Sequence, residues 1–144
     1  MPVPGSSDIL VDELFATTTQ IRTFVEARLK VRGASVARLR AMRMMATSPD
    51  PLRMRDLSEM LGVAARTATA VVDALERDGL VERVRHPEDR RSFLVTLTAL
   101  GRTRHREAEA IDSKALADAT ARLGPAERER LRELLALLRD SVEG

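Results

Sequence analysis

The stretch from Gly79 to Gly101, GLVERVRHPEDRRSFLVTLTALG, constrains the fold of this chain more than any other segment. Two β-type runs, Leu80–Val84 and Ser92–Leu97, flank an arginine-rich tip at residues 85–91. Within that tip Pro87 and Asp89 favour a turn, so the segment is expected to form a hairpin. An amphipathic helix pattern runs straight into it. A β-tip carrying arginines has the shape and charge to enter a groove of duplex DNA.

The helix before the hairpin is expected over residues 65–78. At about 100° per residue, Ala68, Val71, Val72 and Leu75 fall on one side, while Arg66, Thr69, Ala70, Asp73 and Arg77 fall on the other. So clean a division buries one face on its neighbours and presents the other. Gly79 stands where a helix commonly ends in a left-handed residue. A shorter helix is expected over about Asp56–Leu61, closed by Gly62. Two helices joined through a glycine turn match a helix-turn-helix, whose second helix enters the major groove.

Helical periodicity also covers the ends of the chain. Residues 8–30 repeat Leu10, Leu14, Ile21 and Val25 at steps of three to four, with Phe24 and Arg28 on the same side. Ser35 is the expected N-cap of a helix reaching Ala46, with Val36, Leu39 and Met42 inward, and residues 48–51 form a loop. Thr98 caps a long helix from Ala99 to about Arg122. Gly124–Pro125 interrupts it, and a last helix over 126–142 carries Leu131, Leu134, Leu135, Leu138 and Val142 as a stripe. These terminal stripes exceed what a small winged domain can cover, and a second copy of the chain is the simplest partner. A two-fold dimer would set two recognition helices about one turn of DNA apart.

The net charge of +2 hides strong segregation: residues 22–55 carry +7 and residues 83–106 carry +5, while 1–21, 56–82 and 107–144 are all acidic. Basic blocks on a nearly neutral chain indicate a polyanion-binding face. The excess of arginine over lysine decides nothing by itself, since a genome rich in G and C produces it too. With no cysteine, disulfides, thiolate zinc sites and thiol redox switches are excluded. His86 lies in the hairpin tip, and His105 with Glu109 is too thin a set for zinc. Met42, Met44, Met45, Met54 and Met60 have core-like spacing. The opening residues MPVPGSSD lack the basic and apolar regions of a signal peptide, and no apolar run spans a bilayer, so a cytoplasmic location is expected. No constellation of nucleophile, base and phosphate loop supports an enzyme, and no cofactor is expected.

In order and spacing these residues resemble the MarR family of bacterial transcriptional regulators. The resemblance rests on Asp89-Arg90-Arg91-Ser92, then Leu94-Val95-Thr96-Leu97-Thr98 and Gly101. Supporting it are Leu61-Gly62-Val63, Thr67, Thr69, Val72-Asp73, Leu75 and Gly79-Leu80-Val81. It implies a mainly α fold with a small β-hairpin wing, and an obligate homodimer, often a repressor, bound to a pseudo-palindromic operator. A helical dimerisation arm would occupy residues 1–34, a winged helix-turn-helix 35–98, and C-terminal dimerisation helices 99–144. It further implies that Arg91 enters the minor groove, with Asp89 orienting it. A narrow minor groove attracts a guanidinium, and a carboxylate can hold the guanidinium fork; the competing role for this pair is simple stabilisation of the turn.

On the recognition helix the DNA-contact candidates are Arg66, suited to guanine, with Thr67 and Thr69 meeting a thymine methyl or a phosphate. Arg83, Arg85 and Arg90 are candidates for phosphate contact, and Arg77 for pairing with Asp73. The sequence departs from the family at Ala64 and Arg55, where capping residues are common, and at Ala70, where a larger polar residue is frequent. Many members release DNA on binding a small anionic or phenolic effector. Phe15, Phe24 and Arg38 are the candidate residues for such a pocket here; core packing competes for the phenylalanines, and phosphate contact or solvation for Arg22, Arg38, Arg40 and Arg43. The alternative function is a winged-helix adaptor that binds protein without reading DNA.

Overall fold

The computed structural model describes residues 6–143; the first five residues of the expected arm, and Gly144, lie outside them. Six helices and three short strands follow in the order α1 (Ser6–Lys30), α2 (Val36–Thr47), β1 (Leu52–Arg53), α3 (Met54–Leu61), α4 (Ala65–Arg77), β2 (Val81–Arg85), β3 (Phe93–Leu97), α5 (Ala99–Ala119) and α6 (Pro125–Glu143). The fold is mainly helical with a small β wing, as expected. One element was not foreseen. Leu52 and Arg53 pair antiparallel with Val95 and Leu94, which makes the wing a three-stranded sheet in the order β1-β3-β2. Two residues carry no readable period, so sequence reasoning ended the loop there without a strand.

The ends of the elements follow from local chemistry. Ser35 caps α2 by accepting the Arg38 N–H at 3.1 Å, and Thr98 caps α5 by accepting the Gly101 N–H at 3.0 Å. Helix α4 closes in a Schellman arrangement: Leu80 N–H reaches the Leu75 carbonyl at 2.9 Å and Gly79 N–H the Glu76 carbonyl at 3.0 Å. That geometry holds Gly79 at φ 76°, a conformation costly for any residue with a Cβ. Helix α3 starts earlier than expected, at Met54, so Arg53 and not Arg55 occupies its N-cap, with no side-chain cap bond. Asp56 lies in its first turn and favours the helix dipole. Ala64 leaves α4 likewise without a side-chain cap.

Two apolar clusters hold the chain together. The larger joins Ala41, Met42 and Met45 of α2, Leu57 and Leu61 of α3, Val72 and Leu75 of α4, and Leu80, Val81, Val95 and Leu97 of the wing. The smaller packs Val25 and Leu29 of α1 on Leu39 of α2 and on Ala108 and Ala115 of α5. The recognition helix and the wing thus share one core, which fixes their mutual orientation. Gly101 marks the tightest contact: a Cβ there would lie 1.9 Å from the Leu80 carbonyl oxygen. Met60 departs from the expected core methionines and is exposed, because it falls on the outer face of the short α3.

The terminal helices are different. No residue of α6 is buried, although it carries Leu131, Leu134, Leu135, Leu137 and Leu138. On α1, Ile9, Leu10, Leu14, Phe15, Ile21 and Phe24 are also exposed within one chain. Full burial of such a side chain from full exposure is worth about 1.5–3 kcal/mol, and covering what remains exposed here supplies part of that at each position, so these stripes favour a partner.

Candidate nucleic-acid interface

Helix α4 turns Arg66, Thr67, Thr69 and Ala70 outward and buries Ala68, Val72 and Leu75, the division expected from the sequence. The Thr69 hydroxyl donates to the Ala65 carbonyl at 2.9 Å, which restrains its rotamer. Between α4 and the wing lies a cleft of about 550 Å³ lined by Arg53, Arg55, Thr69, Arg83, Asp89 and Arg91 among others. Arg66 and Thr67 lie outside that cleft, on the exposed first turns of α4.

Asp89 organises the wing tip. Its Oδ1 accepts the backbone N–H of Arg91 at 3.0 Å, and its Oδ2 accepts the Ser92 hydroxyl at 2.9 Å. These two bonds, the Arg91 N–H first, hold its carboxyl below the usual range for an aspartate. The expected grip of Asp89 on the Arg91 guanidinium is not seen. The carboxylate is two residues from Arg91, a spacing that closes an Asx turn on the main chain, and the long side chain projects past it. Asp89 positions Arg91 through its backbone.

The wing arginines are not equivalent. Arg83 is tied to Asp73 and, at 3.6 Å, to Glu76 on the face of α4. Asp73 therefore pairs with Arg83 rather than with Arg77, because strand β2 runs back along the helix it follows. Arg85, Arg90 and Arg91 are exposed, with no side-chain hydrogen bond to another described residue.

Four of the nine bases in the +7 block of residues 22–55 are bonded inside the chain. Arg28 meets Asp118 at 2.5 Å and lies 4.6 Å from the centre of the Phe24 ring. Arg38 meets Asp78 at 2.8 Å, and Arg40 donates to the Leu61 carbonyl at 2.9 Å. Arg43 bonds Glu109 at 2.6 Å and Asp112 at 3.4 Å. The hydrogen bond from Arg43, helped by His105 and opposed by burial, holds Glu109 below the usual carboxylate range.

Phe15, Phe24 and Arg38 do not come together. Arg38 borders a cavity of about 40 Å³ with Arg32, Met42, Leu80 and Ile111, whereas both phenylalanines sit exposed on α1. His105 Nε2 donates to the Glu109 carboxylate at 3.1 Å, and no group of three potential metal ligands forms among the described residues. No helix among them is long and apolar enough to cross a membrane.

Sequence reasoning missed Arg53, Arg55 and His86 as members of this surface. Arg53 Nη2 lies 3.0 Å from His86 Nε2, linking β1 to the wing tip. The available signal was the alternation Leu52, Arg53, Met54, Arg55, with the apolar members half-buried and the arginines exposed.

A helix-turn-helix whose second helix shares its core with a three-stranded wing defines the winged helix-turn-helix class. Residues 35–93 match the MarR family. It is 29% identical over 110 residues to the HTH-type transcriptional regulator YdgJ of Bacillus subtilis, covering 76% of this chain and 66% of that protein. The HTH-type transcriptional repressor YetL of Bacillus subtilis is 29% identical over 101 residues, 69% of this chain and 60% of the relative. The chain thus matches less than two thirds of the length of these relatives. Among solved structures, a MarR-like transcription regulator from Bacillus cereus superposes with a TM-score of 0.86 at 20% identity, covering 94% of this chain and 97% of that one.

Proposed function

We propose that the chain is a transcriptional regulator that binds duplex DNA as a homodimer, with α4 in the major groove and the wing in the minor groove. The cationic cleft between α4 and the wing carries this reading, together with the exposed Arg66, Thr67 and Thr69 beside it. Arg66 reads a base edge, the threonines meet a methyl or a phosphate, and Arg91 enters the minor groove. Arg85 and Arg90 contact phosphates, Asp89 holds the tip in shape, and Arg83 adds phosphate attraction from its brace on α4. The exposed stripes of α1 and α6 support residues 1–34 and 99–144 as the dimerisation regions around a DNA-binding unit at 35–98. Repression is the form of regulation we favour, as the name of YetL suggests for that relative.

Release by an anionic or phenolic effector needs more room beside Arg38 than a single chain provides. The cavity beside Arg38 is about 40 Å³, far below the roughly 300–1,000 Å³ of small-molecule sites. An effector therefore needs space completed by the second chain over Phe15 and Phe24. The test is capture of genomic fragments by the purified protein, followed by titration of a captured duplex with the parent and with Arg91→Ala. The variant is expected to bind markedly more weakly at unchanged dimer stability. Equal binding by the two would overturn the wing assignment.

A further inference from the structure

We propose that Arg53 and His86 together form a seat for one phosphate of the DNA backbone between β1 and the wing tip, an inference that rests on the DNA-binding reading above. The Nδ1 atom of His86 faces two backbone donors, Glu88 N–H at 3.1 Å and Asp89 N–H at 3.2 Å. An imidazole nitrogen that accepts cannot carry a proton, so the neutral ring holds its proton on Nε2. That Nε2–H points at Arg53 Nη2, 3.0 Å away, and a guanidinium only donates. Two donors therefore converge on each other with no acceptor between them. When the flexible Arg53 head turns aside, a phosphate oxygen beside the pair accepts from both nitrogens and supplies the charge that Arg53 prefers.

The surroundings fit an anion of the DNA backbone. Arg53 lines the cleft with Arg55 and Arg91, both exposed. Asp89 interacts with both members of the pair, and both its oxygens are already engaged by Arg91 N–H and the Ser92 hydroxyl. Glu88 is exposed on the turn. The pair bridges β1 and the wing tip, so a phosphate held there also fixes the wing against the helix-turn-helix. The seat carries no sequence information: it positions the wing.

The experiment titrates two short duplexes of unrelated sequence with the full chain over a range of salt. Arg53→Gln is expected to weaken both duplexes alike and to lower the slope of log affinity against log salt by about 1. Arg122→Gln, an exposed arginine outside the cleft, is the control for net charge and is expected to keep the parent slope. His86→Asn can still cap the turn with its side-chain oxygen but cannot reach the phosphate. It is expected to weaken binding less than Arg53→Gln, and the two together less than additively. Ring nitrogen NMR of His86 is expected to show the Nε2–H tautomer. Parent-like slope and affinity in Arg53→Gln, while Arg91→Ala still binds weakly, would overturn the seat and leave the DNA-binding reading standing. A proton on Nδ1 would overturn the seat as well. A parent that binds neither duplex, at any salt, would overturn the underlying reading.

Discussion

Asp89 holds Arg91 by its main chain: the carboxylate accepts the Arg91 N–H at 3.0 Å and leaves the guanidinium without a partner among the described residues. The arginine proposed for the minor groove is thus presented on a fixed backbone with its head unspent. Asp89→Ala is expected to lower DNA affinity several-fold by loosening the tip, with Arg91→Ala costing less in that background than in the parent. Because the Asp89 carboxyl titrates below its ordinary range in the folded chain, its contribution to the tip is full above that range and fades as pH falls through the depressed value. Fluorescence anisotropy of a labelled duplex, with parent, single and double variants, checks the coupling.

Arg83 plays a different part from its neighbours. Its bonds to Asp73 and Glu76 brace β2 on α4 while leaving the side chain about a third exposed. Solvent screening limits such a pair to about 0.2–1 kcal/mol. Arg83→Ala is expected to lower stability in urea by that amount and to weaken DNA binding less than Arg91→Ala does. A loss of affinity equal to that of Arg91→Ala would assign it a primary contact instead.

The bond between Arg43 and Glu109 ties α2 to the long helix α5 and holds Glu109 below the ordinary carboxylate range. A depressed acid contributes stability that is complete above its unfolded value and is lost as pH falls through its folded value. Glu109→Gln is expected to be less stable than the parent near neutrality, by about 1 kcal/mol, and the gap is expected to close in acid. Urea unfolding at neutral and acid pH measures it.

Gly101 packs its Cα against the backbone of Leu80, where a Cβ would stand 1.9 Å from the carbonyl oxygen. Backbone cannot yield as a flexible side chain does. Gly101→Ala is expected to destabilise by about 1–3 kcal/mol, seen as a lowered thermal midpoint. A midpoint unchanged from the parent would mean that α5 can shift away from the wing.

What was legible in the sequence was whatever has a period or a local cap. The two faces of α4, the caps at Ser35 and Thr98, and the end at Gly79 all depend on neighbours a few residues away. What escaped was non-local. Strand β1 is two residues long and exists because β3, some forty residues later, offers it an edge. The spending of Arg28, Arg38 and Arg43 on Asp118, Asp78 and Glu109 follows from helix packing that no run of charges displays. The +7 block therefore looked like one binding face and is divided between internal ion pairs and the arginines of the cleft, Arg53 and Arg55. The Arg53–His86 contact was hidden for the same reason.

Two exposed stripes, on α1 and α6, carry the expectation of a dimer. Leu134→Asp with Leu138→Asp is expected to shift the species in solution from twice the 15.9 kDa chain mass toward one chain. Sedimentation over a range of concentration reads this directly. A parent that stays monomeric at every concentration would contradict the dimer.

The cleft between α4 and the wing is proposed to hold DNA by its phosphates. The most direct test is the affinity of the parent for a captured genomic duplex as salt rises. A regulator making several phosphate contacts is expected to lose about a thousand-fold or more in affinity between roughly 50 and 200 mM salt. Binding that is absent, or that ignores salt, would contradict the claim and point to a protein-binding adaptor.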